Sequence, residues 1–514
     1  MSSPLPQSRL EVEVKDFGPI VHAKLDLRPM TVFIGPSNTG KSYLAVLLYA
    51  LHQVFGAIGG SPGSLRYGLW RSQIGTTVPE HTEEATAAFA QLARSVSDII
   101  ESRDDASTVL ELPDGIVEFL RWEFDKLGGN ISSEILRCFG LDATEALVRK
   151  GSPERALVAI RHHRPNDTDV LEQTLSLDAH GAEFRTSMPR QVHFRTADLE
   201  QTYLHLGLLK IEGATPGRIG DEDAWPIGYL ESISSLMDLA LRQVVGGLAS
   251  RGFYLPADRT GVMHAHSAIV SAMIDSAPMA GLRPVSRTPL LSGVLADFIS
   301  QLIRIDQRTD WQGTDRRPKS NLDIGQQIEE NILGGVVSVE RSELINYPQF
   351  TYRPGRWKEG LPLMHASSMV SDLAPVVLYL RHLVQPGNVL IIEEPESHLH
   401  PDAQVKLTRQ LAKLVQQRYR VIITTHSEWI LEELANVVQR SQLPPDELST
   451  VSVSDAALTA DQVGVWLFRP KTRPRGSEVV ELRLDESGLY PSDFNDVAIA
   501  LGNDSAKIYN RIGK

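Results

Sequence analysis

The first residues that could do chemistry form a glycine-rich turn, Gly35-Pro36-Ser37-Asn38-Thr39-Gly40-Lys41-Ser42. Its spacing is that of a phosphate-binding loop, in which two glycines permit the turn and backbone N–H groups face the phosphates. Lys41 is expected to reach the β- and γ-phosphate oxygens, and the Ser42 hydroxyl to bind Mg²⁺. A chance glycine-rich turn would lack the apolar run before it and the apolar segment after it. The pattern therefore predicts a site for ATP and Mg²⁺.

Two adjacent glutamates, Glu393 and Glu394, follow the apolar run VLII at 389–392. Such a run is typical of a buried strand in a parallel sheet, and ligands bind where such strands end. Glu393 is predicted to hold Mg²⁺, directly or through water, and Glu394 to act as the general base towards an attacking water. Alone, two glutamates would more often be a solvated surface pair, but the phosphate loop elsewhere in the chain favours the catalytic interpretation.

Three more polar residues are candidate site residues because of their positions in the sequence. His426 ends a second apolar run, VIITT at 421–425, where a lone histidine would usually be structural. Ser367 and Ser368 directly precede a predicted helix, so their hydroxyls and the free N–H groups of the helix N-terminus could bind an anion. Taken alone, the two serines predict only a helix N-cap.

The elements that must position these residues alternate between strand and helix. Apolar patterning predicts strands at 10–14, 20–27, 31–34, 389–392 and 421–424, and helices at 44–55, 372–384 and 402–418. This alternation predicts an α/β fold with a mixed or parallel sheet and helices on both faces. Because the phosphate loop and the glutamates lie far apart in sequence, the site must be built from both ends of the chain.

The predicted elements divide the chain into four segments. Residues 1–58 and 335–440 are predicted to form the two parts of one nucleotide-binding head, and 441–514 a C-terminal α/β extension. Residues 59–334 are predicted to be a mainly helical insertion, with helical periodicity at 89–100 and 227–245 and a strand at 253–262 returning to the head. Neither periodic stretch is long enough to predict an extended coiled coil.

Composition places limits on the function. The 514 residues are 42% hydrophobic and 22% charged, as in an ordinary globular protein, and the single cysteine precludes an intrachain disulfide. With no apolar stretch of membrane-spanning length, a cytoplasmic protein without a membrane partner is expected. The net charge of −13 does not indicate DNA binding, although short basic clusters occur at 161–164, 316–319 and 471–475.

Together, IGPSNTGKS, HASSM, LIIEEPESHLHP and ITTHS resemble the SMC/ABC-like ATPases of the OLD-related group, with YLPADRTG at 254–261 as a further match. The resemblance implies an ABC-type head that hydrolyses ATP between paired subunits, so a homodimer or higher homo-oligomer. Ser367 and Ser368 would then form the signature loop, which binds the γ-phosphate held by a second subunit, and His426 would be the switch histidine. Arg259 would be a head residue near the nucleotide. The competing interpretation of Arg259 is a surface arginine after a turn.

Two positions depart from the pattern of ABC proteins. Glu393 stands where many have aspartate, which preserves the carboxylate chemistry. Met369 stands where the signature usually has glycine, and a side chain there would crowd the γ-phosphate and slow turnover.

The resemblance leaves several functions open. Too few residues follow His426 for a nuclease domain of the TOPRIM type, so the leading interpretation is a stand-alone sensor or regulator ATPase of antiphage defence, acting with a separate effector nuclease or toxin. The alternative is a RecF- or SMC-like repair ATPase acting directly on DNA. A non-hydrolysing scaffold stays open because of Met369. A transporter subunit is disfavoured, because more than 350 residues separate Lys41 from Glu394.

Overall fold

The structure, a computed structural model, describes a large part of the chain: residues 9–59, 107–112, 114, 117, 121, 127–151, 155–163, 170–188, 190–195, 245–265, 291–309, 319–341, 348–444 and 456–483. The chain divides into two compact units. Unit 1 comprises Met1–Glu11, Ala50–Glu134 and Leu157–Arg251, and unit 2 comprises Val12–Tyr49, Ile135–Ala156 and Gly252–Lys514.

The regular elements alternate along the chain. The strands are β1 (Arg9–Phe17), β2 (Ile20–Asp26), β3 (Met30–Ile34), β4 (Ser107–Glu111), β5 (Ala156–His163), β6 (Val170–Asp178), β7 (Gly181–Thr186), β8 (Gln191–Arg195), β9 (Gly252–Leu255), β10 (Gly335–Arg341), β11 (Pro348–Pro354), β12 (Leu361–Pro362), β13 (Val389–Glu393), β14 (Arg420–Thr425), β15 (Val463–Thr472) and β16 (Arg475–Leu482). The α-helices are α1 (Lys41–Gly59), α2 (Leu127–Phe139), α3 (Gly293–Thr309), α4 (Lys319–Ile328), α5 (Ser368–His382), α6 (Pro401–Gln416) and α7 (Glu428–Arg440). A π-helical turn, Glu329–Leu333, continues α4.

Unit 2 is built on a mixed sheet whose strands are hydrogen-bonded in the order β1-β2-β16-β15-β3-β14-β13-β9. Neighbouring strands from β15 to β9 are all parallel, whereas β15 and β16 form an antiparallel hairpin. All residues of β3, β9 and β13 are buried, as expected of parallel strands covered on both faces. The predicted α/β class is confirmed.

The core of unit 2 forms where helices pack on these strands. Apolar side chains of β3, β13 and β14 share one hydrophobic cluster with those of α3, α5, α6 and α7. Helix α5 is buried from Val370 to Leu380, so that only residues at its two ends reach the surface. The strands β10, β11 and β12 form a separate antiparallel sheet.

The hairpin β15–β16 lies between β2 and β3, although it comes from the segment predicted as a C-terminal extension. Its residues contact the phosphate loop directly, because the Ser477 hydroxyl donates to the Thr39 carbonyl and Gly35 lies against the backbone of Phe468. The described part of this segment is therefore an integral part of the sheet beside the loop.

Residues 59–334 contain more strand than the sequence predicted. In unit 1, β5, β6 and β7 are neighbours in one sheet, and β4 pairs with β8. Strands β5 and β6 alternate between buried and less buried positions, a period-two pattern that the helical interpretation overlooked. Most of the segment's predicted helical stretches, at 89–100 and 227–244, lie outside the described residues. In the described part, no helix has the length and apolar character needed to span a membrane.

Replacement of Gly35 by alanine tests the packing of the hairpin on the loop. Gly35 has φ = 141°, and an added Cβ would lie 2.5 Å from the Phe468 carbonyl oxygen. Gly387 has φ = 88° but open space around it, so it is a matched control. Gly387→Ala should lower the free energy of unfolding by about 1–2 kcal/mol through backbone strain alone. Gly35→Ala should lower the thermal unfolding midpoint more than Gly387→Ala does. Equal midpoints would contradict the close approach of β15.

Candidate nucleotide site

The candidate site lies where four parallel strands of unit 2 end together. Ile34 at the end of β3 is in register with Thr425 of β14, Thr424 with Glu393 of β13, and Ile392 with Leu255 of β9. The segments that leave these strands therefore start from one edge of the sheet. They carry the phosphate loop, His426, Glu394 and Arg259, residues that lie far apart in sequence.

The phosphate loop curls around its own lysine. Lys41 is the first residue of α1, and its Nζ donates to the carbonyl oxygens of Gly35 (2.8 Å) and Pro36 (2.9 Å). The Thr39 hydroxyl donates to Pro36, 2.8 Å away. Positive φ angles at Gly35, Asn38 and Gly40 close the turn, and residues 36–38 and Ser42 are exposed. The side of the loop that would meet a ligand is thus open to solvent.

Burial has the largest effect on the pKa of Lys41. Desolvation lowers its pKa to about 8, although Glu394, Glu396 and Glu393 act in the opposite direction. The lysine is thus held close to three carboxylates and lacks a direct ion pair with any of them among the described residues. Phosphate oxygens arriving at the loop would supply the missing negative partners.

Glu393 and Glu394 have different surroundings, although they are neighbours in sequence. Glu393 is buried, which raises its pKa, while hydrogen bonds from the Ser42 hydroxyl and the Ala257 N–H oppose the rise. Glu394 is 43% exposed, and its Oε1 lies 3.9 Å from Nε2 of His426. The buried acid beside Ser42 fits a metal ligand, and the exposed acid can reach a water molecule.

His426 faces the same space from the end of β14. Burial lowers its pKa, Lys41 lowers it further and Glu394 opposes the change. The imidazole is therefore mainly neutral at pH 7, so one ring nitrogen can donate and the other accept. Its backbone N–H donates to Oε1 of Glu396, 2.6 Å away.

Glu396 was not identified in the sequence. Burial raises the pKa of Glu396, and the hydrogen bond from the His426 N–H opposes this rise. Glu396 is also one of the three carboxylates near Lys41. Its second oxygen, Oε2, is buried without a hydrogen-bond partner among the described residues. The sequence does contain a signal for Glu396 as a site residue, because it is a third acid, two positions after Glu394, in the turn that follows β13.

Ser367 and Ser368 lie at the exposed N-terminus of α5. The Ser367 hydroxyl caps the helix by accepting from the Val370 N–H at 3.4 Å, which is the structural role that its sequence position suggests. Met369 is partly buried and packs against the core cluster. At least part of its side chain is therefore turned towards the core, and the expectation that it crowds a phosphate stays a prediction.

Arg259 is neither exposed nor placed to bind a ligand directly. It is 0% exposed and pairs with the equally buried Asp372 of α5, with Nη2 and Oδ2 2.6 Å apart. Its other hydrogen bonds go to the carbonyl oxygens of Pro256, Asp372, Glu393 and Glu394. Burial raises the pKa of Asp372, whereas Arg259 and the Thr260 hydroxyl act in the opposite direction. The expectation of a surface arginine is wrong.

A family model described as an AAA ATPase domain matches residues 306–431. This range includes both serines, both glutamates and His426, but not the phosphate loop. No curated protein matches the chain. Similar solved structures include an Smc head bound to the C-winged-helix domain of ScpA (11% identity, 94% of this chain and 100% of that chain, TM-score 0.37).

Two other solved structures show a similarly distant likeness. One is a Pyrococcus furiosus Smc head with an extended coiled coil bound to the C-terminal domain of ScpA (11% identity, 99% of this chain and 100% of that chain, TM-score 0.36). The other is the SMC head of Thermotoga maritima (11% identity, 93% of this chain and 99% of that chain, TM-score 0.33).

The lowered pKa of Lys41 predicts that ATP affinity depends on pH. A bound triphosphate favours the charged amine, so affinity should be full below a pH of about 8 and decrease as the lysine deprotonates above it. Between pH 7 and pH 9 the decrease should be roughly tenfold. Equilibrium binding of ATP with Mg²⁺ across this range measures it. Lys41→Ala is the control, because its weaker binding should lack this pH dependence, and identical profiles would contradict the assignment.

Proposed function

We propose that this protein is an ATPase that binds ATP with Mg²⁺ at the edge formed by β3, β14 and β13. The observation that supports this proposal best is the convergence of Lys41, Glu393, Glu394 and His426 from three adjacent strand ends. Ser42 and Glu393 would hold Mg²⁺, because a hydroxyl and a carboxylate in contact provide the oxygen ligands that this ion prefers. The ion would neutralise charge that develops on the phosphates.

Lys41, Glu394 and His426 have different roles in the proposed hydrolysis. Lys41 binds the phosphate oxygens, and Glu394 orients a water molecule and accepts its proton. The water oxygen then bonds to the γ-phosphorus while the bond to the bridging oxygen of ADP breaks. The neutral His426, 3.9 Å from Glu394, can donate a hydrogen bond to the γ-phosphate without repelling Lys41.

We further propose that two heads enclose the nucleotide. Ser367 and Ser368 are exposed at a helix N-terminus, where hydroxyls and backbone N–H groups can bind the γ-phosphate held by another subunit.

The proposed biological role is that of a sensor or regulator ATPase in antiphage defence, acting with a separate effector nuclease or toxin. Its support is the resemblance of the motifs to OLD-related ATPases, together with the net charge of −13, which disfavours direct action on DNA. Co-expression with the neighbouring reading frame, followed by a phage-plating assay, tests the role. Protection should require that partner and an intact Lys41.

Glu394→Gln should separate ATP binding from hydrolysis. Glutamine keeps the size of the side chain but cannot accept a proton, so turnover should decrease by roughly 10²-fold or more. ATP affinity should change little, because Lys41, Ser42 and Glu393 remain. Phosphate release and equilibrium binding measure the two effects. Glu432→Gln, an exposed position on α7, controls for the substitution, and a loss of ATP binding in Glu394→Gln would show that the glutamates have other roles.

A mixture of two inactive variants tests enclosure of ATP between subunits. Lys41→Ala removes the phosphate-binding amine, and Ser368→Arg blocks the signature loop. A mixed dimer would contain one composite site with both parts intact, so mixing should restore part of the ATPase activity. Each variant alone, at the same total concentration, is the control. Full activity of Ser368→Arg alone would exclude engagement of this serine by a second subunit.

A further inference from the structure

We propose that Arg259 is a positioning residue for hydrolysis, which fixes the backbone of Glu394 and ties it to the end of α5 that carries Ser367 and Ser368. This inference rests on the proposed ATPase function and adds a link between the catalytic base and the loop that would bind the second subunit's nucleotide. Arg259 itself contacts neither ATP nor water in this role. It acts through the peptide groups that it holds.

The contacts of Arg259 join three segments of unit 2. Nη1 donates to the Pro256 carbonyl at 3.1 Å and to the Glu393 carbonyl at 2.5 Å, and Nη2 donates to the Glu394 carbonyl at 3.0 Å. Towards α5, Nε donates to the Asp372 carbonyl at 3.1 Å and Nη2 to its carboxylate at 2.6 Å. The planar guanidinium can make these bonds at once, whereas a lysine ammonium cannot.

The backbone of Glu394 needs such support. Its φ is 42°, in the left-handed region that non-glycine residues adopt only when their surroundings hold them there. The Glu394 N–H donates to the Thr424 carbonyl at 2.9 Å, and the Glu394 carbonyl oxygen accepts from Arg259 at 3.0 Å and from the Ser397 N–H at 3.1 Å. This conformation sets the direction in which the Glu394 side chain leaves the strand. Loss of the guanidinium would leave the Glu394 carbonyl with only the hydrogen bond from Ser397, which belongs to the same turn and does not connect it to α5.

The segment around Arg259 is also attached to the beginning of α5 by two neighbouring side chains. The Thr260 hydroxyl donates to Oδ1 of Asp372 at 2.8 Å, and Nε2 of His264 lies 2.9 Å from the Ser371 hydroxyl. Ser371 in turn donates to the Leu363 carbonyl, just before the signature loop. A displacement of this end of α5 would therefore be transmitted to the carbonyl of Glu394.

A buried ion pair alone does not imply function, since apolar residues often stabilise a fold as well. The test must therefore separate catalysis from stability. Arg440 provides a matched control in unit 2, because it also forms a buried pair with a 2.6 Å Nη2–O distance, in this case to Glu433 of α7. Arg259→Lys and Arg440→Lys make the same chemical change. Both should lower the thermal unfolding midpoint.

Only Arg259→Lys should lower kcat, by roughly tenfold or more, because misplacement of a catalytic group is costly. Its affinity for ATP with Mg²⁺ should stay within about twofold of the unmodified protein, since Lys41 and Ser42 remain in place. Equal kcat values for the two variants would refute the positioning role, as would a loss of ATP binding that accounts for the whole effect. Absence of ATPase activity in the unmodified protein would instead refute the proposed function.

If Arg259→Lys does not fold, Thr260→Val tests whether the contacts between α5 and the Arg259 segment affect catalysis. It keeps the side-chain volume and removes only the hydroxyl bond to Asp372, so kcat should decrease by about two- to fivefold with unchanged ATP affinity. An unchanged kcat in a folded Thr260→Val protein would then overturn the link between α5 and Glu394.

Discussion

The parallel register of β3, β14, β13 and β9 is the constraint on which the rest of the structure depends. Because these strands are hydrogen-bonded in register, their carboxyl ends form one edge, and the segments leaving that edge are brought together whatever their separation in sequence. Buried apolar residues fix the strands, and the polar residues that follow them have no position available except at the edge. The site is in this sense a consequence of where the hydrophobic runs stop.

At that edge, unequal burial distinguishes residues of similar chemistry. Glu393 is buried, whereas Glu394 and Glu396 keep partial contact with solvent, and 43% of the Glu394 side chain is exposed. Glu394 also has a positive φ, so the backbone turns at this residue of the acidic run. A buried guanidinium behind the turn then satisfies carbonyl groups that the strand can no longer pair.

The sequence predicted the strands and residues whose signals are local. The phosphate loop has a fixed spacing, and the runs before Glu393 and His426 are continuous and apolar, so the α/β class followed from them. The sequence left two interpretations of Arg259 open, because Asp372 and Glu394, to which it is hydrogen-bonded, lie more than 100 residues away and a turn-forming sequence precedes it. The packing of Met369 on the core depends on tertiary contacts that the sequence does not reveal. Glu396 was overlooked although it is visible in the sequence as a third acid after β13. The assigned roles in ATP chemistry stay predictions.

The position of the β15–β16 hairpin also affects how the molecule can fold. Strands β2 and β3 are separated by three residues in the chain, yet in the sheet the hairpin lies between them. A growing polypeptide therefore cannot complete this sheet by local pairing, and β2 and β3 must wait for residues up to Leu482 to leave the ribosome. Until then, the edges of both strands are available for non-native pairing or for chaperones. The protein can thus acquire its phosphate loop environment only late in synthesis.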